Sequence, residues 1–469
     1  MERKYLQNLI DWKNDLNRKP LLIIGARQVG KTYLIENLFA KKYYKNSYLK
    51  IDCSDDSDFV NYVLKTNNLD KMIDYIKITY DFVPDKDHLL FFDEAQECLP
   101  VIRMMKQFCE NKREIPVIVS GSLVRISVKR HAESKKENEA HSFLFPVGKI
   151  NTMTIYPLTF SEFLMNYNQE AYNFIKVQFM NKTNVDIGLH QKLMEYFYDY
   201  LFVGGMPEVV DSFISYKNDK TTAYKIVVKK LKDIYSNYLN DMDLYQASPE
   251  SIVRSRSIYR SIYSQLNKEN KNFKYSNVEK NMRNRDALNP MEWLILTDVI
   301  IKCDLLKEKV TSPLIESEET LFRLYLSDMG LFTYQSELEA KTFFLSKENV
   351  LSGIYFENYI ASELHSHNRK LFYWKGKRNS EFEFLLDINN RIIPIDSKKA
   401  KGSLNSLNEF REHNKKDLVI KVSQNQFGYD NKQDILTLPY YYLSFLLDEL
   451  ENNYDALFDL ITDEKRIDK

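Results

Sequence analysis

The chain has 469 residues, which is too long for one ordinary domain and predicts roughly two to four of them. Its 66 Lys and Arg residues balance 66 Asp and Glu residues, so it lacks the positive excess of a protein that binds nucleic acid over its whole surface. No apolar run approaches the ~18 residues needed to span a bilayer, and the polar N-terminus shows no signal-peptide core. We therefore predict a cytoplasmic protein without a membrane segment.

A buried strand followed by a phosphate-binding loop is predicted close to the N-terminus. Leu21 to Ile24 form a continuous apolar run, and the stretch that follows, GARQVGKT, matches the pattern G-x-x-x-x-G-K-[ST]. The pattern predicts backbone N–H groups around phosphates, Lys31 on the β- and γ-phosphates, and the Thr32 hydroxyl on Mg²⁺. We predict that ATP binds to this loop and to the next residue, that is, to Gly25, Ala26, Arg27, Gln28, Val29, Gly30, Lys31, Thr32 and Tyr33.

An acidic strand end completes the expected ATPase chemistry. Asp93 and Glu94 follow the apolar run 89–92, and a third apolar run, 117–119, is followed by Ser120. Asp93 is the predicted second Mg²⁺ ligand, and Glu94 is the predicted general base that activates water. Ser120 either contacts the γ-phosphate or the attacking water, or is an ordinary turn residue. The predicted catalytic residues are Lys31, Glu94 and Ser120.

Seven stretches of the sequence resemble one family of ATPases. They are GARQVGKT, FFDEAQE, VIVSGS, FPVGKINTMTIYPLTFSEFL, VGGMPEVV, FRLYLSDMGLF and GIYFENYIASEL. Together they resemble the prokaryotic AAA+ ATPases that carry a C-terminal domain of unknown function, which is itself similar to the PD-(D/E)XK restriction-nuclease fold. The first two stretches are generic to nucleotide-binding ATPases, whereas YPLTFSEF and GGMPE are more specific to this family.

The resemblance implies an α/β chain of four parts. A P-loop AAA+ ATPase core is expected over residues 1–158, a helical lid over 159–245, a winged-helix-like connector over 246–338 and an α/β PD-(D/E)XK nuclease-like domain over 339–469. Lys149 stands where the family usually has an arginine, so it offers a point charge in place of a planar guanidinium. An arginine of a neighbouring subunit often completes AAA+ sites, and the candidates here are Arg103, Arg125 and Arg130.

Residues 380–400, SEFEFLLDINNRIIPIDSKKA, predict a β-hairpin around a two-residue turn at Asn389 and Asn390. In this register the apolar side chains of both strands share one face and point into a core. The other face carries two charged pairs, which are Glu383 opposite Asp396 and Glu381 opposite Lys398. Two carboxylates directly opposite each other repel unless a cation compensates them.

The resemblance implies that this charged face is a second, metal-dependent site. It adds Glu357 from the preceding helix to Glu383, Asp396 and Lys398, with Glu and Asp interchanged at the two strand positions relative to the usual family pattern. In such a set the carboxylates hold Mg²⁺ or Mn²⁺, and the lysine orients water and stabilises the phosphate. The alternative is a salt-bridged structural remnant without metal, and the sequence leaves both open.

Three functions follow as hypotheses. The first is an ATPase that hydrolyses ATP with Mg²⁺ and couples its nucleotide state to the C-terminal domain. The second is an ATP-gated, metal-dependent DNA endonuclease, and the third is a nucleotide switch or DNA-binding scaffold without catalysis. ATP is the expected ligand in all three, DNA is the expected partner in the last two, and a homo-oligomer or a partner protein fits any of them.

Overall fold

The computed structural model describes residues 1–127, 129, 146, 148–245, 248–307, 309–315, 321–343, 353–377, 380–397, 405–414, 417–453, 455 and 457. The chain forms two compact units, one of residues 1–156 with 296–298 and one of residues 157–295 with 299–469. Within the ranges that the structure describes, no helix has the length and apolar character needed to cross a membrane. The division into four domains stays a prediction.

The first unit is a parallel sheet with helices. Its strands are β1 (Leu21–Ile24), β2 (Tyr48–Asp52), β3 (Leu89–Asp93), β4 (Val117–Ser120) and β5 (Asn151–Thr154). Their spatial order is β2-β3-β4-β1-β5, and each neighbouring pair is parallel. The helices are α1 (Tyr5–Asn14), α2 (Tyr33–Ala40), which is wound as a π-helix, α3 (Lys41–Tyr43), α4 (Ser57–Thr66), α5 (Leu69–Thr79) and α6 (Leu99–Asn111), with a 3₁₀ turn at Ala95–Glu97.

The three apolar runs predicted as strands in this unit are confirmed. Strands β1, β3 and β4 are buried along their whole length, as expected for apolar runs in the middle of a parallel sheet. Strands β3 and β4 extend one residue further than predicted, so that Asp93 and Ser120 end their strands. Because β4 lies between β1 and β3, the carboxyl ends of these three strands meet at one edge of the sheet.

The second unit begins with helices. They are α7 (Phe160–Tyr167), α8 (Gln169–Met180), α9 (Ile187–Val203), α10 (Pro207–Ser215), α11 (Lys220–Tyr245), α12 (Pro249–Leu266), α13 (Asn284–Leu296), α14 (Met329–Gln335), α15 (Gly353–Ser366), α16 (Asn405–His413) and α17 (Tyr440–Asn452). A capping box starts α7, because Thr159 and Glu162 each accept the backbone N–H of the other. Aromatic rings pack between helices far apart in sequence, and Phe197 stacks on Tyr440 with ring centroids 5.2 Å apart.

Two sheets complete the second unit. One has the order β7-β6-β8-β9 and contains β6 (Ile300–Lys307), β7 (Phe322–Leu326), β8 (Leu371–Lys375) and β9 (Glu381–Phe382). The other has the order β10-β11-β12-β14-β13 and contains β10 (Phe384–Ile388), β11 (Arg391–Ser397), β12 (Val419–Ser423), β13 (Gly428–Asp430) and β14 (Ile435–Pro439). Strands β6 and β7 are antiparallel, and β6 also pairs with β8. The helical lid and the winged-helix-like connector stay predictions.

The predicted hairpin turn is confirmed at Asn389 and Asn390. Their φ angles are 51° and 60°, which asparagine tolerates better than most residues. The β10–β11 ladder begins at Phe384 opposite Ile395 and has the register expected from this turn. The apolar side chains assigned to the core face are buried.

The predicted pairing of Glu381 with Lys398 stays a prediction, because Lys398 lies outside the described residues. Glu381 pairs with Lys375 of β8, and the chain bends at Glu383. The Glu381 carboxylate lies 2.6 Å from Nη2 of Arg323, which is only 3% exposed. The buried guanidinium and the Glu381 carboxylate therefore neutralise each other.

The stretches GGMPE and SDMGLF meet at a site that only glycine fits. Asp328 accepts the backbone N–H of Gly205 at 2.6 Å. Gly204 has a φ of 76°, and a Cβ there would lie 2.3 Å from the backbone nitrogen of Gly330. A Cβ on Gly205 would lie 2.2 Å from the carbonyl oxygen of Leu158. The glycines in these two stretches are therefore explained by backbone segments that pack too closely for a side chain.

A buried polar cluster joins three helices of the second unit. It consists of Ser161 of α7, Glu363 of α15, His367 directly after α15, and Ser444 and Asp448 of α17. The Glu363 carboxylate accepts the backbone N–H of Phe160 at 2.7 Å, and burial raises the pKa of Glu363 to about 7. Burial lowers the pKa of His367, but the hydrogen bond with Asp448 and the charges of Asp448 and Glu363 together outweigh burial, so this pKa is raised.

The cluster predicts a loss of stability as the pH rises. A group whose folded pKa exceeds its unfolded value stabilises the fold below the unfolded pKa, and this contribution is lost as the pH rises through the folded pKa. For Glu363 the window runs from 4.5 to about 7, and the raised pKa of His367 acts in the same direction. We expect the thermal midpoint of the second unit, measured by calorimetry, to fall less steeply across this window in Glu363→Gln than in the wild type.

A matched control is Glu170→Gln, which makes the same change at an exposed position of α8. Its thermal midpoint should follow the wild-type dependence on pH. Identical slopes for Glu363→Gln and the wild type would contradict the assignment of the effect to the buried cluster.

Candidate nucleotide-binding site

The loop between β1 and α2 passes through conformations with positive φ. The φ angles are 143° at Gly25, 64° at Gln28 and 86° at Gly30. A Cβ on Gly25 would lie 2.1 Å from the carbonyl oxygen of Ile155, so both contact and conformation require glycine there. Such turns direct successive backbone N–H groups to one side and form a concave site for anions.

The other loop residues predicted to bind ATP differ in exposure. Ala26 and Val29 are buried, so only their backbone groups are offered to a ligand. Arg27 is half-buried and Gln28 is exposed. Tyr33 is 44% exposed, and its hydroxyl accepts a hydrogen bond from the terminal amine of the chain at 3.0 Å. Arg27, Gln28 and Tyr33 are therefore the loop side chains that solvent or a ligand can reach.

Lys31 is held by its own loop. The side chain is buried, and Nζ donates hydrogen bonds to the carbonyl oxygens of Gly25 at 3.0 Å and Ala26 at 2.7 Å. Burial lowers the pKa of Lys31 to about 8, while the nearby charges of Glu94 and Asp93 oppose that change. The ammonium group thus lies between the phosphate-binding loop and the acidic end of β3.

The Asp93 carboxylate contacts hydrogen-bond donors from several segments of the chain. Thr32 Oγ1 donates a hydrogen bond to Asp93 Oδ2 at 2.7 Å, and Ser120 Oγ donates to Oδ1. Lys50 Nζ, from β2, lies 3.5 Å from Oδ2. The structure therefore brings together the predicted Mg²⁺ ligands Thr32 and Asp93 and the predicted catalytic residue Ser120. Neighbouring hydroxyl and carboxylate oxygens are the hard ligands that Mg²⁺ prefers, so these two residues fit the ion.

Glu94 follows Asp93 in an unusual backbone conformation. Its φ and ψ angles are 47° and 44°, which is the left-handed region, and its N–H donates to Asp93 Oδ1 at 3.1 Å. Strained conformations of this kind at non-glycine residues cluster at functional sites. The Glu94 carboxylate accepts a hydrogen bond from Nε2 of Gln96, which is buried. Gln96 thus positions the carboxylate that the sequence predicts as general base.

Two further residues of this site carry no recognisable sequence signal. Arg3 is 5% exposed, and its guanidinium donates hydrogen bonds to the carbonyl oxygens of Val29 at 2.9 Å and Tyr156 at 2.7 Å. Arg3 therefore ties the phosphate-binding loop to the segment that follows β5. Lys50 lies near the end of β2. Its position close to Asp93 follows from the pairing of β2 with β3, which the sequence does not reveal.

The cations proposed for phosphate contact have partners inside the first unit. These are Glu110 for Lys149 (3.0 Å), Asp298 for Arg125 (3.1 Å) and Asn67 for Arg103 (3.3 Å). Arg130 lies outside the described residues. An arginine supplied by a neighbouring subunit, and the homo-oligomer that it requires, stay predictions.

Residues 17–164 match the family model of an AAA domain. This part of the chain is an AAA domain with a P-loop. This AAA domain includes the P-loop, Asp93, Glu94 and Ser120. Residues 194–342 and 352–441 match two models described as domains of unknown function, DUF8612 and DUF4143. No curated protein matches the chain.

Several solved structures are similar to this chain at low identity. A Walker-type ATPase of Pyrococcus abyssi is 15% identical over 71% of this chain and 95% of its own, with a TM-score of 0.43. AMPPCP-bound DnaA from Aquifex aeolicus is 13% identical over 62% and 86% of the two chains, with a TM-score of 0.28. These scores are too low for an argument from fold, so the assignment of the AAA domain rests on the family match and the site geometry.

In the second unit, the structure brings together three of the four residues predicted for a metal site. Glu357 and Glu383 are buried, and Asp396 lies on β11. Burial raises the pKa of Glu383 well above its usual range, and the charges of Asp396 and Glu357 raise it further. Glu383 Oε2 accepts the N–H of Ser397 at 3.1 Å, and Glu357 Oε1 contacts Nζ of Lys271.

These carboxylates do not form a set of metal ligands in the described part of the chain. There, no three His, Cys, Asp or Glu side chains are grouped so that they could hold a metal ion. Lys271 supplies positive charge to Glu357 in place of a metal, and Lys398 lies outside the described residues. A metal site in this unit stays a prediction.

The contacts of Arg3 predict a role in ATP binding. Arg3→Ala removes two charged donors from buried carbonyl oxygens, one of which belongs to the phosphate-binding loop, and leaves that loop less well ordered. We expect the affinity for ATP, measured by titration calorimetry with Mg²⁺, to fall roughly tenfold. The control is Lys86→Ala, whose side chain is 76% exposed and which should bind ATP like the wild type. Equal affinities of the two variants would exclude this role.

Proposed function

We propose that this protein binds ATP with Mg²⁺ in its AAA domain and hydrolyses it to ADP and phosphate. The contact between Thr32 and Asp93 supports this proposal most directly, because their oxygens lie 2.7 Å apart at the end of the phosphate-binding loop. A serine at the end of β4 and the strained Glu94 lie beside the same carboxylate. The grouping supplies a phosphate cradle, oxygen ligands and a base within one site.

Each residue has a distinct task in the proposed reaction. Lys31 exchanges its loop carbonyl partners for oxygens of the β- and γ-phosphates and offsets their charge. Glu94 accepts a proton from the water that attacks the γ-phosphorus, and Gln96 holds the Glu94 carboxylate in position. Ser120 donates to Asp93 and lies at the strand end from which a hydroxyl reaches the γ-phosphate or the water. Thr32 and Asp93 would hold Mg²⁺, which neutralises phosphate charge when bound.

Substitutions at Lys31 and Glu94 separate binding from hydrolysis. Lys31→Ala should abolish measurable ATP binding, because the loop loses its charged contact to the phosphates. Glu94→Gln should bind ATP normally and lower its turnover by about 10²–10⁴-fold, because the amide is no base. Binding is measured by titration calorimetry and turnover by phosphate release.

The control for this pair is Glu97→Gln, which makes the same change at an exposed residue three positions further on. It should hydrolyse ATP like the wild type. Unchanged turnover in Glu94→Gln, or unchanged ATP binding in Lys31→Ala, would contradict the proposed site.

We further propose that ATP changes what the second unit binds, as in other nucleotide-dependent switches. The carboxylates of Glu357 and Glu383, which are buried, and of Asp396, which is half-buried, support a functional site there, because clustered acids lower stability and are frequent at functional sites. The two alternatives that involve DNA are an ATP-gated, metal-dependent endonuclease and a DNA-binding scaffold without catalysis.

Incubation of the protein with double-stranded DNA distinguishes the endonuclease from the scaffold. The endonuclease predicts cutting with Mg²⁺ or Mn²⁺ that is lost in Glu383→Gln, whereas the scaffold predicts binding that differs between ATP and ADP without cutting. The absence of cutting, together with equal DNA binding in both nucleotide states, would remove both alternatives and leave a protein as the partner.

A further inference from the structure

The ammonium group of Lys50 lies between two carboxylates that belong to different segments of the AAA domain. Lys50 is on β2, and its Nζ lies 3.5 Å from Oδ2 of Asp93 at the end of β3. The same Nζ lies 3.5 Å from Oε2 of Glu36, which is on α2, the helix that follows the phosphate-binding loop. Lys50 therefore bridges the acidic strand end and the helix that begins directly after Thr32.

The pairing of β2 with β3 determines where the side chain of Lys50 starts. Lys50 lies opposite Phe91 in the parallel ladder, and Asp93 lies two residues further along β3, so the side chains of Phe91 and Asp93 share one face. The Nζ of Lys50 lies 6.0 Å from the centre of the Phe91 ring, which is buried. The Lys50 side chain is 26% exposed. Because its stem is flexible, its ammonium end can turn from Asp93 to Glu36 while the strand stays in place.

Lys50 supplies the positive charge that pairs with Asp93. Burial lowers the pKa of Lys50, but the charges of Asp93, Glu36 and Asp52 and the hydrogen bond with Asp93 together outweigh burial, so this pKa is raised. Lys31 also lies near this carboxylate, but its Nζ donates hydrogen bonds to two carbonyl oxygens of the phosphate-binding loop. The ion pair with Asp93 is therefore the one formed by Lys50.

This ion pair uses an oxygen atom that the proposed Mg²⁺ site also needs. Oδ2 of Asp93 accepts a hydrogen bond from the Thr32 hydroxyl at 2.7 Å, and Thr32 and Asp93 are the proposed ligands of the ion. An ion held by these two residues would lie beside the ammonium of Lys50, and two cations at one carboxylate repel each other. Lys50 and a divalent cation therefore compete for Asp93.

We propose that Lys50 keeps divalent cations away from Asp93 until ATP is bound, and that it then turns to Glu36. This inference rests on the proposed binding of ATP with Mg²⁺ and states when the metal enters that site. In ATPase sites Mg²⁺ is held by one or two carboxylates together with phosphates of the substrate. The phosphates add the negative charge that favours the metal over Lys50, and Glu36 accepts the displaced ammonium. Metal and nucleotide consequently enter the site together.

Titration of the protein with Mn²⁺ in the absence of nucleotide tests the proposal without measuring hydrolysis. Mn²⁺ takes the same oxygen ligands as Mg²⁺, and electron paramagnetic resonance measures the free ion in a solution of the full chain. We expect Lys50→Gln to bind one ion at least about tenfold more tightly than the wild type does, because a neighbouring positive charge is removed. Lys50→Arg keeps that charge and should bind Mn²⁺ like the wild type.

Two further variants show whether the additional ion lies at Asp93. Lys41→Gln is the matched control, because Lys41 Nζ lies 3.3 Å from Oε1 of Glu36 and the change leaves the pair of Lys50 with Asp93 in place. This variant should bind Mn²⁺ like the wild type. The double variant Lys50→Gln/Asp93→Asn should lose the additional ion. If circular dichroism shows that it is unfolded, Lys50→Gln/Thr32→Val takes its place and removes the other proposed ligand.

Each outcome supports or overturns the proposal. Equal affinity of Lys50→Gln and the wild type for Mn²⁺ overturns it, and so does an additional ion that also appears in Lys41→Gln or that persists in the double variant. Titration calorimetry with ATP separates this result from a failure of the proposed function. If Mg²⁺ strengthens ATP binding by the wild type while Lys50→Gln gains no ion, the proposed function stands and this inference is wrong. If the wild type binds no ATP, both are wrong.

Glu36 supplies an independent measurement. Glu36→Gln removes the carboxylate to which Lys50 turns, so the affinity for ATP with Mg²⁺ should fall by roughly fivefold to tenfold, whereas the affinity for ATP with EDTA should not change. The control is Glu114→Gln, which makes the same change at an exposed position of the same unit and should match the wild type in both conditions. An equal loss of affinity with and without Mg²⁺ in Glu36→Gln would contradict the proposal.

Discussion

The buried carboxylate of Asp93 is the group on which the AAA domain's site depends. It is 2% exposed, and a carboxylate removed from water is stable only when donors replace its lost hydration. Those donors come from separate segments, namely the hydroxyls of Thr32 and Ser120 and the ammonium of Lys50. Each contact fixes one strand end or loop relative to β3. The interactions that stabilise the buried charge therefore also hold the phosphate-binding loop beside the acidic strand end.

The second unit also contains buried charged groups, and they are stabilised in different ways. Arg323 and Glu381 neutralise each other, and Glu381 lies on β9, which pairs with β8. Glu363 receives a backbone N–H, but burial still raises its pKa to about 7, so its charge depends on pH. Burial raises the pKa of Glu383 well above its usual range, and the charges of neighbouring carboxylates act in the same direction.

The features predicted correctly from sequence are those that neighbouring residues determine. Apolar runs predicted β1, β3 and β4, and the asparagine pair at 389 and 390 predicted the turn and the register from Phe384 onward. The pairing of Glu381 with Lys398 stays a prediction, because Lys398 lies outside the described residues. The contact between Glu381 and Arg323 leaves no periodic signal within the hairpin, because Arg323 is distant in sequence.

The sequence by itself determined the phosphate-binding loop, the acidic end of β3 and the hairpin turn, since each depends on the conformations and spacing of consecutive residues. Only the tertiary structure decided that Arg3 supports that loop and that Lys50 contacts Asp93. The physical reason is that these contacts join segments far apart in the chain, as with Arg3 and Tyr156, which are 153 residues apart. Strand order and packing determine these partners. Neither produces a residue spacing or a periodic pattern that can be recognised in the sequence.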